Sequence, residues 1–432
     1  MHMNSVTPQD GVHTEYRAEC DVLYRILKKE NYMATSTADG VKNFTKKQLR
    51  RVARAGFDWN MVLVLAFLLG FGLIMVYSAS SYVAIRDFGD QTHFFTRQAI
   101  ADLIGIIGAV FLMFVPYRIY DKRWIYRWVF YGLAATLPLL TIPFGIESHG
   151  ATRWVEIPGT PFNFLPAEAS KLFMIMFMAS WLYGIGKKVN ERKYFWLTLA
   201  LPIPVCMIIY LVTDNLSSAI IIYVISFIMT FVVCRDMKRF LIVVGIIAVI
   251  AVIVIVVAEN INVGDDKTSF RLMRIYSWLH PENTTDSRAH QIIQGLYAIG
   301  NGGVWGKGLG QSVQKISNLP EPHNDMIFAI ICEELGIVGA IAVIIVFILL
   351  LSRMYMIARD TDEVYPYMLV IGIMTHIAVQ VILNIAVATN SMPNTGVSLP
   401  FISYGGSSVC FLMAEMGIVF GINRSNRAEV SK

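Results

Sequence analysis

Charge is what this chain has least of. Only 16% of its 432 residues are Asp, Glu, Lys or Arg, against 55% apolar; a soluble domain averages roughly 25% charged. A soluble enzyme is excluded, and so is a nucleic-acid binder, because the net charge of +5 lies in short patches between apolar runs. Cysteine is scarce as well. Cys20, Cys206, Cys234, Cys332 and Cys410 form no CxxC, and four lie in or beside apolar runs. That excludes a disulfide framework and a zinc-ribbon pattern. No cleavable signal peptide is expected in the polar, mixed segment 1–57.

What is present is apolar sequence in repeated blocks. Spans are expected near 60–82, 98–116, 126–144, 166–185, 194–212, 216–234, 239–258, 326–351, 367–388 and 404–422. Each can cross a hydrocarbon core of about 30 Å. Backbone groups there need internal partners, so the spans should be helices. The expected fold is an all-α polytopic membrane protein of about ten transmembrane helices. Cations choose its orientation. Lys46, Lys47, Arg50, Arg51 and Arg54 precede the first span; alternate loops carry Arg118, Lys122 and Arg123, then Lys187, Lys188, Arg192 and Lys193, then Arg235, Lys238 and Arg239, then Arg353 and Arg359. The positive-inside rule puts these loops and both termini in the cytoplasm, and the long connection 259–325 outside. The expected organisation is a cytoplasmic extension 1–57, a membrane domain 58–424 and a tail 425–432. Short re-entrant or surface helices are expected within the long loop.

Four constellations can carry chemistry. His323-Asn324-Asp325 stands where a polar loop meets the eighth span. An Asp there either caps the helix or acts as a general base at the membrane surface. Arg153-Trp154 is followed by Glu168 and Lys171, three apart on one helix face. These charges either neutralise each other or line a cavity for an anionic head group, which Arg suits through its fork of donors. Gln291 and Gln294 lead into six glycines between Gly300 and Gly310. A dinucleotide loop is rejected, because Trp305 stands where its third glycine belongs; a close-packed turn or a backbone surface for a head group remains. The stretch Asn394–Ser408 breaks the helix with Gly and Pro and reads as cavity wall. His376, Gln380 and Asn384 form a stripe suited to interhelical hydrogen bonds. Glu333 and Glu334 receive no catalytic role.

In order, these stretches resemble the SEDS family (shape, elongation, division and sporulation) of FtsW, RodA and SpoVE over residues 57–424. The resemblance rests on Asp58-Trp59, Val76-Tyr-Ser-Ala-Ser80, Gly150-Ala-x-Arg-Trp154, Pro166-Ala-Glu168 with Lys171, Tyr297-Ala-Ile-Gly300, Leu319-Pro-Glu-x-His-x-Asp325, Glu333-Glu-Leu-Gly336 and Leu399-Pro-Phe-Ile-Ser-Tyr-Gly-Gly-Ser-Ser408. Leu165, Asp214-Asn215-Leu216-Ser217, Pro322 and Asn324 depart from the commoner pattern and leave the acid intact. The Val-Tyr-Ser-Ala-Ser run and the basic extension look more like the division type than the elongation type.

The resemblance implies a peptidoglycan glycosyltransferase in the bacterial cytoplasmic membrane, at the division septum. It would polymerise lipid II into β-1,4-linked glycan at the outer face, with Asp325 as the general base. Arg153, Trp154, Glu168, Lys171, Gln291, Gln294, Lys315, His323, Ser403, Tyr404 and Ser407 are the expected substrate-binding residues. Partners would be undecaprenyl-linked glycan, a class B penicillin-binding protein and other membrane proteins of the division or elongation complex. No metal-ligand cluster is evident, which leaves a divalent cation such as Mg or Mn open. A lipid II flippase, an elongation-type polymerase and a non-catalytic scaffold are the rival readings.

Overall fold

The computed structural model describes residues 58–119, 124–148, 151–156, 163–260, 270–283, 287–316 and 319–430. The basic cluster 46–54, Lys122, Arg123 and Gly150 lie outside them. Among the described residues nine helices are long and apolar enough to cross a membrane. They include α1 (Trp59–Phe88), α2 (His93–Phe114), α4 (Pro166–Ile185), α7 (Leu216–Val233), α8 (Met237–Glu259), α11 (Ile327–Arg359), α12 (Val364–Ala388) and α13 (Gly406–Val430). One more span runs through α5 (Arg192–Ala200) and α6 (Pro202–Thr213), abutting at Leu201. The expected third span differs. It is helical from Trp124 to Phe144 but in pieces: α3 (Trp124–Thr136), a 3-10 turn at Leu137–Leu140 and one last turn at Thr141–Phe144. Pro138 has no N–H to give the α ladder and tightens the helix there.

Local signals set the helix ends. Asp58 caps α1 by accepting the Met61 N–H at 3.1 Å, and Asn215 caps α7 through the Ser218 N–H at 3.0 Å. Gly89 ends α1 in the left-handed conformation, at φ 70°. α4 starts with Pro166, whose fixed φ suits the first helical position. It is the central helix, buried along most of its length, with α3, α7, α12 and α13 around it. Outside this core α8 is Ile- and Val-rich and exposed along most of its length, as a lipid-facing helix must be.

Before α4 a small sheet, β1 (Gly145–Ser148), β2 (Ala151–Glu156) and β3 (Asn163–Phe164), pairs antiparallel, with Ile146 opposite Trp154 and Val155 opposite Phe164. The long loop contains α9 (Phe270–Leu279) and α10 (Ser287–Gly302). α13 continues through Val430, so helix occupies most of the expected tail.

α11 breaks at Gly336, where φ is 69° and ψ −169°. The glycine loop lies against the break. A Cβ on Gly302 would meet the Cys332 carbonyl, one on Gly306 the Glu334 carbonyl, and one on Gly336 the Val304 carbonyl. These are backbone atoms and cannot turn aside. Gly336→Ala is therefore expected to destabilise the protein by about 1–3 kcal/mol or more. Gly70→Ala, where a Cβ meets nothing within 4 Å, should be near neutral; thermal unfolding of the two purified variants in detergent makes the comparison.

Candidate active site

Three segments converge where α11 begins. The loop 319–326 leads into α11, α10 supplies Gln291, and the segment 389–405 connects α12 to α13. Asp325 lies between them, half-buried. It does not occupy the N-cap position, which falls to Met326, so the capping alternative is not what the structure shows. Its Oδ1 accepts from Gln291 Nε2 at 3.0 Å. Its backbone carbonyl accepts from Asn384 Nδ2 at 2.8 Å, and the same amide reaches the Val397 carbonyl at 2.8 Å. Oδ2 faces Gly396, where even an added Cβ would stand 4.0 Å away. One oxygen is thus held and the other looks toward a residue without a side chain.

Electrostatics raise this carboxyl to about 7. Burial is the main cause and the charge of Glu321 the second; hydrogen bonds from the Asp325 and Met326 backbone and from Gln291 oppose them. Glu321 is a non-glycine residue at φ 50°, a conformation held by its surroundings. Asn324 helps to hold it: its N–H donates to the Glu321 carbonyl at 3.1 Å and its side-chain amide to the Glu321 carboxylate. Burial also pushes the His323 imidazole below its ordinary value. The ring of His323 packs 4.4 Å from Phe94 and 5.5 Å from Tyr404 between centroids, and its Nδ1 has no hydrogen-bond partner among the described residues. Burial raises the Tyr404 phenol, with Arg97 opposing.

Other expected residues take different places. Ser403 is a brace: its hydroxyl donates to the Asn324 carbonyl at 2.7 Å and accepts the Leu399 N–H at 2.7 Å. The Tyr404 N–H donates to the His323 carbonyl at 2.9 Å. The Ser407 hydroxyl accepts the Leu165 N–H at 3.3 Å, tying α13 to the start of α4. Glu168 and Lys171 pair at 2.7 Å inside the core, the mutual neutralisation that their spacing allowed. Arg153, on β2, donates to the Asp214 carbonyl at 3.2 Å, and Trp154 is half-buried beside it. Gln294 is half-buried on α10. Lys315 is buried against Glu334, 2.9 Å away, and Ser78, 3.2 Å away; it lies in an internal cluster, not on the rim around Asp325.

Some contributors were not among the expected site residues. Asn394 donates to Gln291 Oε1 at 2.8 Å and so fixes which end of that amide faces Asp325. Ser217, at the start of α7, donates to the Thr395 carbonyl at 2.6 Å. Gln98 and Asp102 on α2 bond at 3.0 Å, and Gln98 also accepts the Gly405 N–H at 3.0 Å. A buried polar pair in an apolar helix was the available signal for the last; for Asn394 it was its place at the start of the broken stretch read as cavity wall. The polar stripe on α12 does bond between helices: His376 meets Glu415 of α13 at 2.9 Å, and Asn384 bridges two loops.

Residues 58–428 match the model of the FtsW/RodA/SpoVE cell cycle protein family. The chain belongs to this family. It is 34% identical over 372 residues to a probable peptidoglycan glycosyltransferase FtsW of Trichlorobacter lovleyi, covering 85% of this chain and 93% of that one. It is 35% identical over 375 residues to the stage V sporulation protein E of Bacillus subtilis, covering 86% and 98%. Among solved structures, a chain of a peptidoglycan synthase complex that coordinates polymerization and crosslinking shares the fold, with a TM-score of 0.68 at 24% identity, over 86% of this chain and 98% of that one.

Asn384 holds two loops through two buried carbonyls. Asn384→Leu removes their donor and is expected to lower stability by about 1–3 kcal/mol, as measured by thermal unfolding in detergent.

Proposed function

We propose that this chain is a peptidoglycan glycosyltransferase that polymerises lipid II, with Asp325 as its general base. The observation that carries the reading is a half-buried carboxylate, at the head of a membrane helix, whose pKa of about 7 suits a base at neutral pH. The names of its relatives and the chemistry of the site support the same activity.

In this mechanism the acceptor is lipid II and the donor is a glycan on undecaprenyl pyrophosphate. Asp325 takes the proton of the acceptor's 4-hydroxyl through Oδ2 while Gln291 holds Oδ1. The hydroxyl oxygen attacks the donor's anomeric carbon, the bond to the pyrophosphate breaks, and inversion of the α-linked donor gives the β-1,4 link. Arg153, on β2, would steady the pyrophosphate through its fork of donors. Holding both lipids in one groove supplies orientation, a large part of such a rate. Among the described residues no group of three or more His, Cys, Asp or Glu is placed to hold a divalent ion, and the proton transfer itself falls to Asp325.

The cation pattern orients the chain with both termini cytoplasmic and Asp325 at the outer face. The division subtype, the septal location and a class B penicillin-binding partner belong to the same proposal. Buried charges such as Glu168–Lys171 and His376–Glu415 would also serve lipid translocation, the rival reading.

Purified protein, with and without a co-purified class B transpeptidase, separates the readings. Asp325→Asn is expected to fold and to lose about 100- to 10,000-fold in polymer formation from lipid II. Equal polymer from both would remove Asp325 as the base. Translocation of lipid II without polymer from the wild type would favour the rival. The pH dependence has a defined sign. A base must be ionised, so kcat should fall as pH drops through about 7. Glu321 raises that pKa, so Glu321→Gln should move the acidic limb of the pH–rate profile to lower pH.

A further inference from the structure

The break at Gly336 is spliced. In an unbroken helix the Ile337 N–H would bond to the Glu333 carbonyl and the Val338 N–H to the Glu334 carbonyl. All four groups turn to the glycine loop instead. Ile337 donates to the Gly303 carbonyl at 3.0 Å and Val338 to the Val304 carbonyl at 3.3 Å, while Lys307 N–H donates to the Glu333 carbonyl and Gly308 N–H to the Glu334 carbonyl, both at 2.9 Å. The side chains of the two glutamates before the break are fully buried. Glu333 accepts from the Ser312 hydroxyl and from the N–H groups of Val313 at 3.1 Å and Gln314 at 3.3 Å. Glu334 accepts the Ser78 hydroxyl of α1 at 2.7 Å and the Lys315 ammonium at 2.9 Å. Lys315 also donates to the Gly310 carbonyl at 2.8 Å.

The segment Ile327–Leu335 is thereby a separate half-helix. Asp325 stands at one end and Glu334 at the other, about 13 Å away at 1.5 Å per residue. A helix this short is not stable on its own ladder, so its ends must be fixed from outside. We propose that the Glu334–Lys315–Ser78 cluster is a positioning latch, which clamps the far end of this half-helix to α1 and the glycine loop and so sets where Asp325 stands against Gln291 and the bound sugar. The inference rests on Asp325 being the base. An ion pair suits the task because desolvation offsets most of its Coulombic gain, whereas its geometry is demanding: Lys315 reaches Glu334, Ser78 and the Gly310 carbonyl together.

The full-length protein provides the test. Lys315→Met alone leaves Glu334 buried without its cation and is expected to fold poorly. The reporting variant is therefore Lys315→Met with Glu334→Gln, which leaves no unpaired charge and keeps an acceptor for Ser78. It is expected to melt near the wild type, to lose about 10- to 100-fold in kcat through a displacement on the order of 1 Å, and to keep its apparent KM for lipid II and the midpoint of its acidic limb. Hydrogen exchange of the amides of 327–335 should be faster. Ser78→Ala should lie between the two. Wild-type kcat, a loss carried by KM, or unchanged amide exchange would each overturn the latch. If the wild type made no polymer, or Asp325→Asn made as much, the reading of the base would fail instead, and amide exchange by itself would decide whether the cluster holds the segment.

Discussion

A membrane interior offers no water to a backbone that leaves its helix, and the architecture of this chain around Asp325 depends on how that demand is met. Gly336 interrupts α11, and the glycine loop supplies the missing partners, two as donors and two as acceptors. Neither half works alone. The loop can lie this close only because Gly302, Gly306 and Gly336 carry no Cβ, and the break is tolerated only because the loop is there. Two of the six glycines in this short stretch, Gly302 and Gly306, are thus a packing device.

The consequence is local rigidity beside an otherwise simple bundle. The segment bearing Asp325 is fastened below through Glu333 and Glu334, beside by Asn384, and above by Gln291 and Ser403 through the loops they hold. Asp325 takes part through its backbone carbonyl and Oδ1, which leaves Oδ2 facing Gly396. Burial and the neighbouring Glu321 charge raise its pKa, and the bond from Gln291 limits the rise. A surface carboxylate of ordinary pKa would be always ionised but a weaker base; a fully buried one would stay protonated. The site lies between these limits.

Several buried polar groups elsewhere in the bundle find a partner on another element or on their own helix face. Glu168 pairs with Lys171 within α4, His376 with Glu415 across α12 and α13, and Gln98 with Asp102 within α2 and with Gly405 beyond it. The lipid-facing α8 has no such groups to place and is almost wholly Ile, Val, Ala and Leu between its ends. Family membership and fold agree with this division between a polar-seamed core and an apolar exterior.

The sequence by itself determined the fold class and nine of the expected spans, and it marked the acid proposed as the base. Apolar runs of spanning length leave a chain in lipid little choice but helix, and an acid at the edge of such a run is visible without coordinates. It could not give the fracture of the third span, since a proline in an apolar run is read as tolerated until its missing N–H is seen to tighten Leu137–Leu140. Nor could it separate roles that depend on contacts far apart in the chain. Lys315 was expected to bind substrate and is bound to Ser78, 237 positions away; Glu333 and Glu334 drew no catalytic role and hold the half-helix; Asn394 read only as the start of a cavity wall until it met Gln291, 103 positions away. Composition and periodicity report what one segment prefers in its solvent. Which polar group meets which is decided by the packing of helices against each other, and only the tertiary structure contains that information.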